Sequence, residues 1–499
     1  MELVFQDSKL DYLGKILCDT VVQEQTADII IPDSLPDADR VVDAFGTPLI
    51  RSEECSSGSA SVNGMVQVGV LFVSEQGQVQ QVQTQIPFSV RRDFAAEDGC
   101  TMHCCCTLRS VDARPLNSRK LLVRVGIACT LSVFAKKQCT CHDISEPAPN
   151  LQLKRMELPL KMPLGLGEKR FVLNEELEVP TNKAAVASIL KCLYRPQLTE
   201  QRVVGNKAVF KGKLIVHVLY EGEDGKLAPY EWSVPFSQYA ELERELDDAD
   251  LQTTVSLTSA ETEPDSIVDC RRLLTSVNLM VQCVACGVQK LSVIEDAYCT
   301  DAVLTPQFEQ LALVGQLDCQ TLRETVSAEA DQPASSVVDA WMYPEEPVFS
   351  RNGDAMELTL PLGCNVLYYD ADGALQGRTL RPTAKMALEL SENGSCTVTE
   401  VLPEEIFCAA GNGITLRVPV NVTIESHAEH CLKTVCGGEI APLPAEEGGR
   451  KPSVILRRSD GEELWDIAKS LRTSVKAIAE ANDLQEDYAP ENTLLLIPL

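Results

Sequence analysis

Positive charge and aromatic rings are both scarce in this sequence. Across 499 residues Lys and Arg number 44 against 73 Asp and Glu, a net charge of −29, and a surface that negative repels phosphate backbones and anionic lipid headgroups. Nucleic-acid binding is excluded on that ground. Aromatics make up only 5% of the chain, which argues against an aromatic-lined ligand pocket. The most apolar stretch, Leu121 to Ala135, contains Arg124 and falls short of the roughly 20 residues needed to cross a bilayer. The N-terminal Met1 to Leu10 lacks the basic start and apolar core of a secretory signal, so the protein is expected to stay in the cytosol. Catalytic motifs are missing too: no P-loop, no G-x-S-x-G elbow, no H-E-x-x-H helix, and only five histidines. With 73 carboxylates a solvated acidic surface is the default over an acid-base pair. No catalytic residue and no cofactor is nominated, and the expectation is a protein that is not an enzyme.

What is present is globular composition, 44% apolar, and enough length for several domains. The dominant feature is self-similarity. Val66-Gln-Val-Gly-Val-Leu-Phe-Val73, Leu214-Ile-Val-His-Val-Leu-Tyr-Glu221 and Leu362-Gly-Cys-Asn-Val-Leu-Tyr-Tyr369 recur at a spacing of 148. Each alternates with period 2, which puts Val66, Val68, Val70 and Phe72, and their counterparts, on one face of a strand. Gly77, Gly225 and Gly373 follow in polar turns, two of them Asp-Gly, which signals a hairpin. Later strands match as well: Val123, Val125, Ile127, Cys129, Leu131; then Thr275, Val277, Leu279, Val281, Cys283; then Leu416, Val418, Val420, Val422, Ile424. A register kept over five positions covers whole domains. Each unit also has a short apolar-periodic piece after a proline that reads as a helix: Val41–Phe45, Ile189–Leu193 and Val337–Trp341. Stretches around Pro147–Pro149, Pro163 and Thr305-Pro306 read as connections.

The predicted architecture is therefore mainly β, with three tandem antiparallel β-sandwich or barrel units at residues 1–145, 160–300 and 308–440. A Pro/Gly/Glu-rich linker at 441–452 leads to a small β-α-α-β domain at 453–499.

Twenty cysteines without an export signal should be mostly thiols. Cys129, Cys283 and Cys364 occupy places held by Val, Leu or Ile in the other units, as small core hydrophobes do. Cys283 and Cys286 should point to opposite faces of a regular strand. His103-Cys-Cys-Cys106 with Cys139-Thr-Cys-His142 is a richer cluster, near strand ends where four ligands could converge, but no counterpart exists in the other units and no metal site is nominated. His427-Ala-Glu-His430-Cys431 reads as a solvated strand end. The acidic run Glu241–Asp250 lacks the Gly and ligand spacing of a calcium loop.

In the last 46 residues, Val454-Ile-Leu-Arg-Arg starts as a strand, and Ser459 or Asp460, each with a Glu three positions on, offers an N-cap. Leu464, Ile467, Ala468 and Leu471 form one apolar stripe. Thr473 or Ser474 caps a second helix from Val475 to about Ala481, ended by Asn482 as an αL-tolerant residue, and Leu494–Pro498 closes the module as a strand. Gly461-Glu-Glu-Leu-Trp-Asp-Ile-Ala-Lys469, Asn482-Asp-Leu484, Tyr488-Ala-Pro490 and Leu494-Leu-Leu-Ile-Pro498 resemble LysM domains. That resemblance implies a shallow groove for N-acetylglucosamine-containing glycans, lined here by Gly461, Glu462, Glu463, Leu464, Asn482, Leu484, Tyr488, Pro490, Glu491 and Asn492. Glu462-Glu463 replaces the family's Asp-Thr, and Pro490-Glu-Asn492 replaces its Pro-Gly, which puts carboxylates in the groove and removes a glycine. The module carries five basic and nine acidic residues.

Three β units followed by a LysM-like module resemble the SipL-like clostridial spore-coat morphogenesis proteins. The resemblance implies a non-enzymatic scaffold or adaptor in the mother-cell cytoplasm, at the forespore surface and spore coat. Its implied partners are the coat basement ATPase, stage IV sporulation protein A, and other coat proteins, with the LysM-like module as the partner-binding piece. The alternatives are a peptidoglycan or N-acetylglucosamine-glycan-binding cell-wall protein, and a thiol or zinc enzyme using the Cys-rich first unit.

Overall fold

The computed structural model describes residues 5–144, 148, 150–265, 270–352, 355–388, 394–443, 453–484, 488, 489 and 491–499. The first unit has six strands: β1 (Gln6–Ile30), β2 (Ala38–Ser56), β3 (Ser59–Ser74), β4 (Val79–Asp93), β5 (Thr101–Asn117) and β6 (Lys120–Asp143). They form two antiparallel sheets in the orders β1-β6-β5 and β2-β3-β4, whose apolar faces share one core containing Val66, Phe72, Val123 and Leu131. This is a sandwich, because each sheet has one apolar face and buries it against the other.

The second unit repeats the order with β7 (Leu151–Glu178), β8 (Val186–Val204), β9 (Lys207–Gly222), β10 (Leu227–Glu241), β11 (Asp250–Pro264) and β12 (Arg272–Cys299). The third breaks three strands into shorter pieces: β13 (Ala302–Ala330), β14 (Ala334–Pro344), β15 (Val348–Asn352), β16 (Ala355–Asp370), β17 (Leu375–Leu380), β18 (Thr383–Leu388), β19 (Gly394–Pro403), β20 (Phe407–Ala410) and β21 (Ile414–Pro442). The repeated alternating runs are β3, β9 and β16, and their inward positions, including Cys364, are buried. Gly77, Gly225 and Gly373 take φ of 80°, 72° and 78° in the hairpins that follow, a region open to glycine without a Cβ penalty. The expected core places of Cys129 and Cys283 hold as well.

Two expectations are corrected. The three pieces read as helices are strands β2, β8 and β14, paired along β3, β9 and β16. Register shifts fall at Ala38/Arg40 and Val41/Asp43, and at the matching Val186/Ser188, Ile189/Lys191, Ala334/Ser336 and Val337/Asp339. Two bulges so close together break the period of 2 and imitate a helical spacing. The stretches around Pro163 and Thr305-Pro306 are not connections either: Pro163 pairs with Cys286 and Pro306 with Gly438. Of the third stretch, residues 145–147 and 149 lie outside the described residues.

The bulges also aim side chains. Asp43, Lys191 and Asp339 stand at the same place in the three units, and all three are buried. Lys191 Nζ lies 2.7 Å from Asp43 Oδ2 and 2.6 Å from Asp339 Oδ2. Equivalent positions of three units meeting at one point define an approximate three-fold axis. Farther along it, Ser132 of β6, Val284 of β12 and Glu425 of β21 line one cavity of about 60 Å³, where Lys15 pairs with Glu425. Beyond the sandwiches, β1–β6, β7–β12 and β13–β21 continue as two-stranded ribbons. Their far ends pack together through Ile144, Leu151, Ile294, Ala297, Cys299 and Val435.

The C-terminal module contains β22 (Val454–Arg458), α1 (Leu464–Leu471), α2 (Val475–Ala481) and β23 (Leu494–Pro498), with β22 and β23 antiparallel. Of the segment read as a linker, Ala441 and Pro442 belong to β21 and 444–452 lie outside the described residues. No helix among the described residues is long and apolar enough to cross a membrane.

Candidate functional site

The module's core forms from the predicted stripe. Leu464, Ile467 and Ala468 of α1 pack with Ile478 of α2 and with Leu495 and Ile497 of β23, all buried. Ser474 caps α2 by accepting the Ala477 N–H at 3.1 Å. The expected cap of α1 is corrected: the N-cap is Glu463, and no side chain among the described residues caps it. Ser459 Oγ accepts the Gly461 N–H instead, at 3.2 Å, so the polar turn closes on itself before the helix begins. Asn482 also differs from expectation. Its φ is −119°, and Asp483 takes the left-handed conformation at φ 53°. The reason is its side chain, which donates to the Ile478 and Leu496 carbonyls and accepts the Leu496 N–H, each at 2.7 Å. Asn482 ties α2 to β23.

The loop before α1 and the loop before β23 lie side by side. Ala489 N–H donates to Glu462 O at 3.0 Å and Asn492 N–H to Ser459 O at 2.9 Å, and Glu463 forms an antiparallel bridge with Tyr488. Gly461 sits at φ 84°, and a Cβ built on it would come within 3.0 Å of Glu491 Cγ. The rim therefore collects Gly461, Glu462, Glu463, Tyr488 and Glu491, with Asn492 at its end. Leu464 is in the core, Leu484 packs against it half-buried, and Pro490 lies outside the described residues.

Two rim carboxylates are engaged. Glu462 pairs with Arg457 at 2.5 Å. Glu463 accepts from Lys154 Nζ at 2.6 Å and from Tyr488 Oη at 3.0 Å, and these two bonds hold its carboxyl below the usual range. Lys154 belongs to β7, so this contact docks the module on the end of the second ribbon. From β12, Asp296 accepts from Trp465 Nε1 at 2.9 Å and pairs with Lys469 at 2.5 Å. Burial raises the Asp296 carboxyl, but those two donors outweigh it and hold it low. Tyr298 donates to Thr473 O at 2.7 Å, and its ring meets Trp465 edge-on at 4.8 Å. Lys154, Asp296 and Tyr298 were not among the residues singled out from the sequence. They lie far from the module in the chain and carry no motif.

The Cys/His clusters are dispersed. Cys104 donates to Glu53 Oε2 at 3.1 Å and Cys106 sits 3.1 Å from Cys129, whereas Cys139 and Cys141 lie in the neighbouring core, 3.7 Å apart. Cys104 pairs with Leu131 of β6, eight residues from Cys139 along that strand, so the two groups do not converge. Burial and the adjacent Glu53 carboxylate push the Cys104 thiol up, which keeps it protonated. Cys283 and Cys286 face different cores, as the strand alternation predicts. The side chains of 427–430 lie outside the described residues. In the acidic run, Leu242 and Leu246 turn inward to the second core.

The fold and this module define a repeat protein of β-sandwiches with a C-terminal LysM domain, and residues 460–498 match the LysM domain model. Residues 185–264, spanning β8 to β11, match the model described as SipL, SPOCS domain. Together the two matches are consistent with a SipL-like protein that carries a LysM domain at its C-terminal end. No curated protein matches it.

Proposed function

We propose that the protein is a non-enzymatic scaffold of spore-coat assembly, acting in the mother-cell cytoplasm at the forespore surface. In this reading the LysM module binds protein, and it joins a coat basement ATPase resembling stage IV sporulation protein A, with other coat proteins, to the β-unit body. The pairing of a sporulation domain with a LysM domain supports the process. The observation that carries the binding mode is the rim itself. Glu491 lies against the backbone of Gly461, where a sugar would need open approach, and the ion pairs of Glu462 with Arg457 and of Glu463 with Lys154 close the loop beside it. A rim closed by its own side chains leaves a sugar no open backbone to approach, which supports a protein ligand over a glycan.

The test is affinity capture from sporulating cells with the full chain and with residues 453–499 deleted. A specific ATPase partner present with the first and lost with the second supports the adaptor. Titration with chitooligosaccharides that perturbs Gly461 to Leu464 saturably, with partners unaffected by the deletion, would replace it with the glycan-binding alternative.

A further inference from the structure

The β22–β23 sheet has helices on only one side. Ile455, Leu495 and Ile497 turn inward to the helices, and the alternate residues turn outward. Val454, Leu456, Leu494 and Leu496 are 44%, 62%, 62% and 39% exposed. Leu456 pairs directly with Leu496, and Arg458 with Leu494, so the outer face is a continuous aliphatic surface that ends in one guanidinium. Among the described residues no other strand pair exposes large apolar side chains so densely. Such a surface on a charged chain marks an interaction site. The module's docking on the second ribbon uses Glu463, Trp465, Lys469 and Thr473 and leaves this sheet facing solvent.

We propose that the outer β22–β23 face is where the module takes its protein partner: an amphipathic segment that sets aliphatic side chains on Leu456, Leu494 and Leu496 and a carboxylate on Arg458. Charge selects this occupant. Arg457 is already paired with Glu462, while Arg458 is exposed and forms no ion pair among the described residues, so one positive charge waits beside an apolar strip. A glycan finds neither hydrogen-bonding side chains nor aromatic rings across that strip. A second copy would bring another net charge of −29 against the first, and an anionic membrane would meet the same repulsion. The proposal rests on the reading of the LysM module as protein-binding and moves its contact surface from the carboxylate rim to the sheet.

The experiment places a photo-cross-linking phenylalanine analogue at Leu456, and separately at Tyr488 on the rim, in the full chain in sporulating cells, and sequences the cross-linked peptide. The expected result is one protein segment captured from Leu456, with aliphatic residues and an Asp or Glu. Its yield should fall about tenfold with Leu494→Asp, equivalent to roughly 1.4 kcal/mol, and severalfold with Arg458→Glu. Reversing the partner's carboxylate to Lys should restore the Arg458→Glu yield. Both side chains are mostly exposed, so an unchanged melting midpoint confirms that the variants fold. Capture from Tyr488 alone would overturn the surface while leaving the protein-binding reading standing. Cross-links to a second copy or to lipid, a yield unmoved by Leu494→Asp, or no capture from Leu456 would also overturn it. Absence of protein from both positions, with chitohexaose shifting Gly461 to Leu464, would remove the protein-binding reading as well.

Discussion

Lys191 and Asp43 stand 148 residues apart in the chain and 2.7 Å apart in space, at equivalent places of two repeat units. Asp339, the third equivalent, closes the set at 2.6 Å. Trp341 Nε1 and Asn365 Nδ2 donate to the other Asp43 oxygen at 3.2 and 3.1 Å, and His217 lies 2.9 Å from Asp339 Oδ1. A lysine this buried would ordinarily lose its proton, but the two carboxylates outweigh desolvation and raise its pKa. One cation satisfies two units that would otherwise repel each other across the axis.

Removing that cation should be costly. Lys191→Met leaves Asp43 and Asp339 facing each other out of water, and the expected loss is about 3–5 kcal/mol by denaturant unfolding. The triple variant Asp43→Asn, Lys191→Met, Asp339→Asn should recover most of it. A loss below about 1 kcal/mol for the single change would mean that the units do not depend on this contact.

Stability should fall as the pH rises past neutrality. Burial opposes the charge on His217, but hydrogen bonds to Asp339 and Glu231 raise its pKa from 6.5 to about 9. The raised value means that its contribution is complete below about 6.5 and is lost as the pH climbs through about 9. The full shift corresponds to roughly 3 kcal/mol. Urea unfolding at pH 6, 7.5 and 9.5 should trace the decline, and His217→Gln should flatten it. Equal pH slopes in the two proteins would remove His217 as the cause.

The repeat predicts matched glycine positions. Gly64 and Gly212 lie directly across from Phe88 and Phe236, and a Cβ on Gly212 would come within 2.5 Å of the Phe236 ring and 2.4 Å of the Gln197 carbonyl. Gly212→Ala should cost about 1–3 kcal/mol through overpacking. Gly225→Ala, in open space at φ 72°, should cost only about 1 kcal/mol. Comparable losses for both, by thermal unfolding, would contradict the packing argument.

Docking of the module should depend on Asp296. Asp296→Ala removes the acceptor of Trp465 and Lys469, interactions worth about 1.5–3 kcal/mol when charged. Hydrogen exchange across the Trp465 side of α1 and cleavage within 444–452 should both accelerate, at least tenfold, while the sandwiches keep their protection. Unchanged exchange would indicate that Tyr298 and Lys154 hold the module alone.

The sequence by itself determined the features that depend on neighbours along the chain. Period-2 alternation placed Val66, Leu214 and Leu362 in strands facing a core, Asp-Gly turns placed the hairpins, and the Leu464 stripe with the Ser474 cap placed the module's helices, because backbone geometry ties each pattern to local conformation. Tertiary structure alone decided what depends on residues far apart. Lys191 reads in sequence as one polar residue inside Ile189-Leu-Lys-Cys-Leu193. Only the paired bulges in β8, which disguise the strand as a helix, and the closure of three units around an axis give it two carboxylates. Glu463 reads as a free rim carboxylate until the fold brings Lys154 to it. The apolar letters on both faces of Val454-Ile-Leu and Leu494-Leu-Leu-Ile were visible, but which face the helices cover follows from three-dimensional packing, since a two-stranded sheet with helices on one side must leave its other side to water or to a partner.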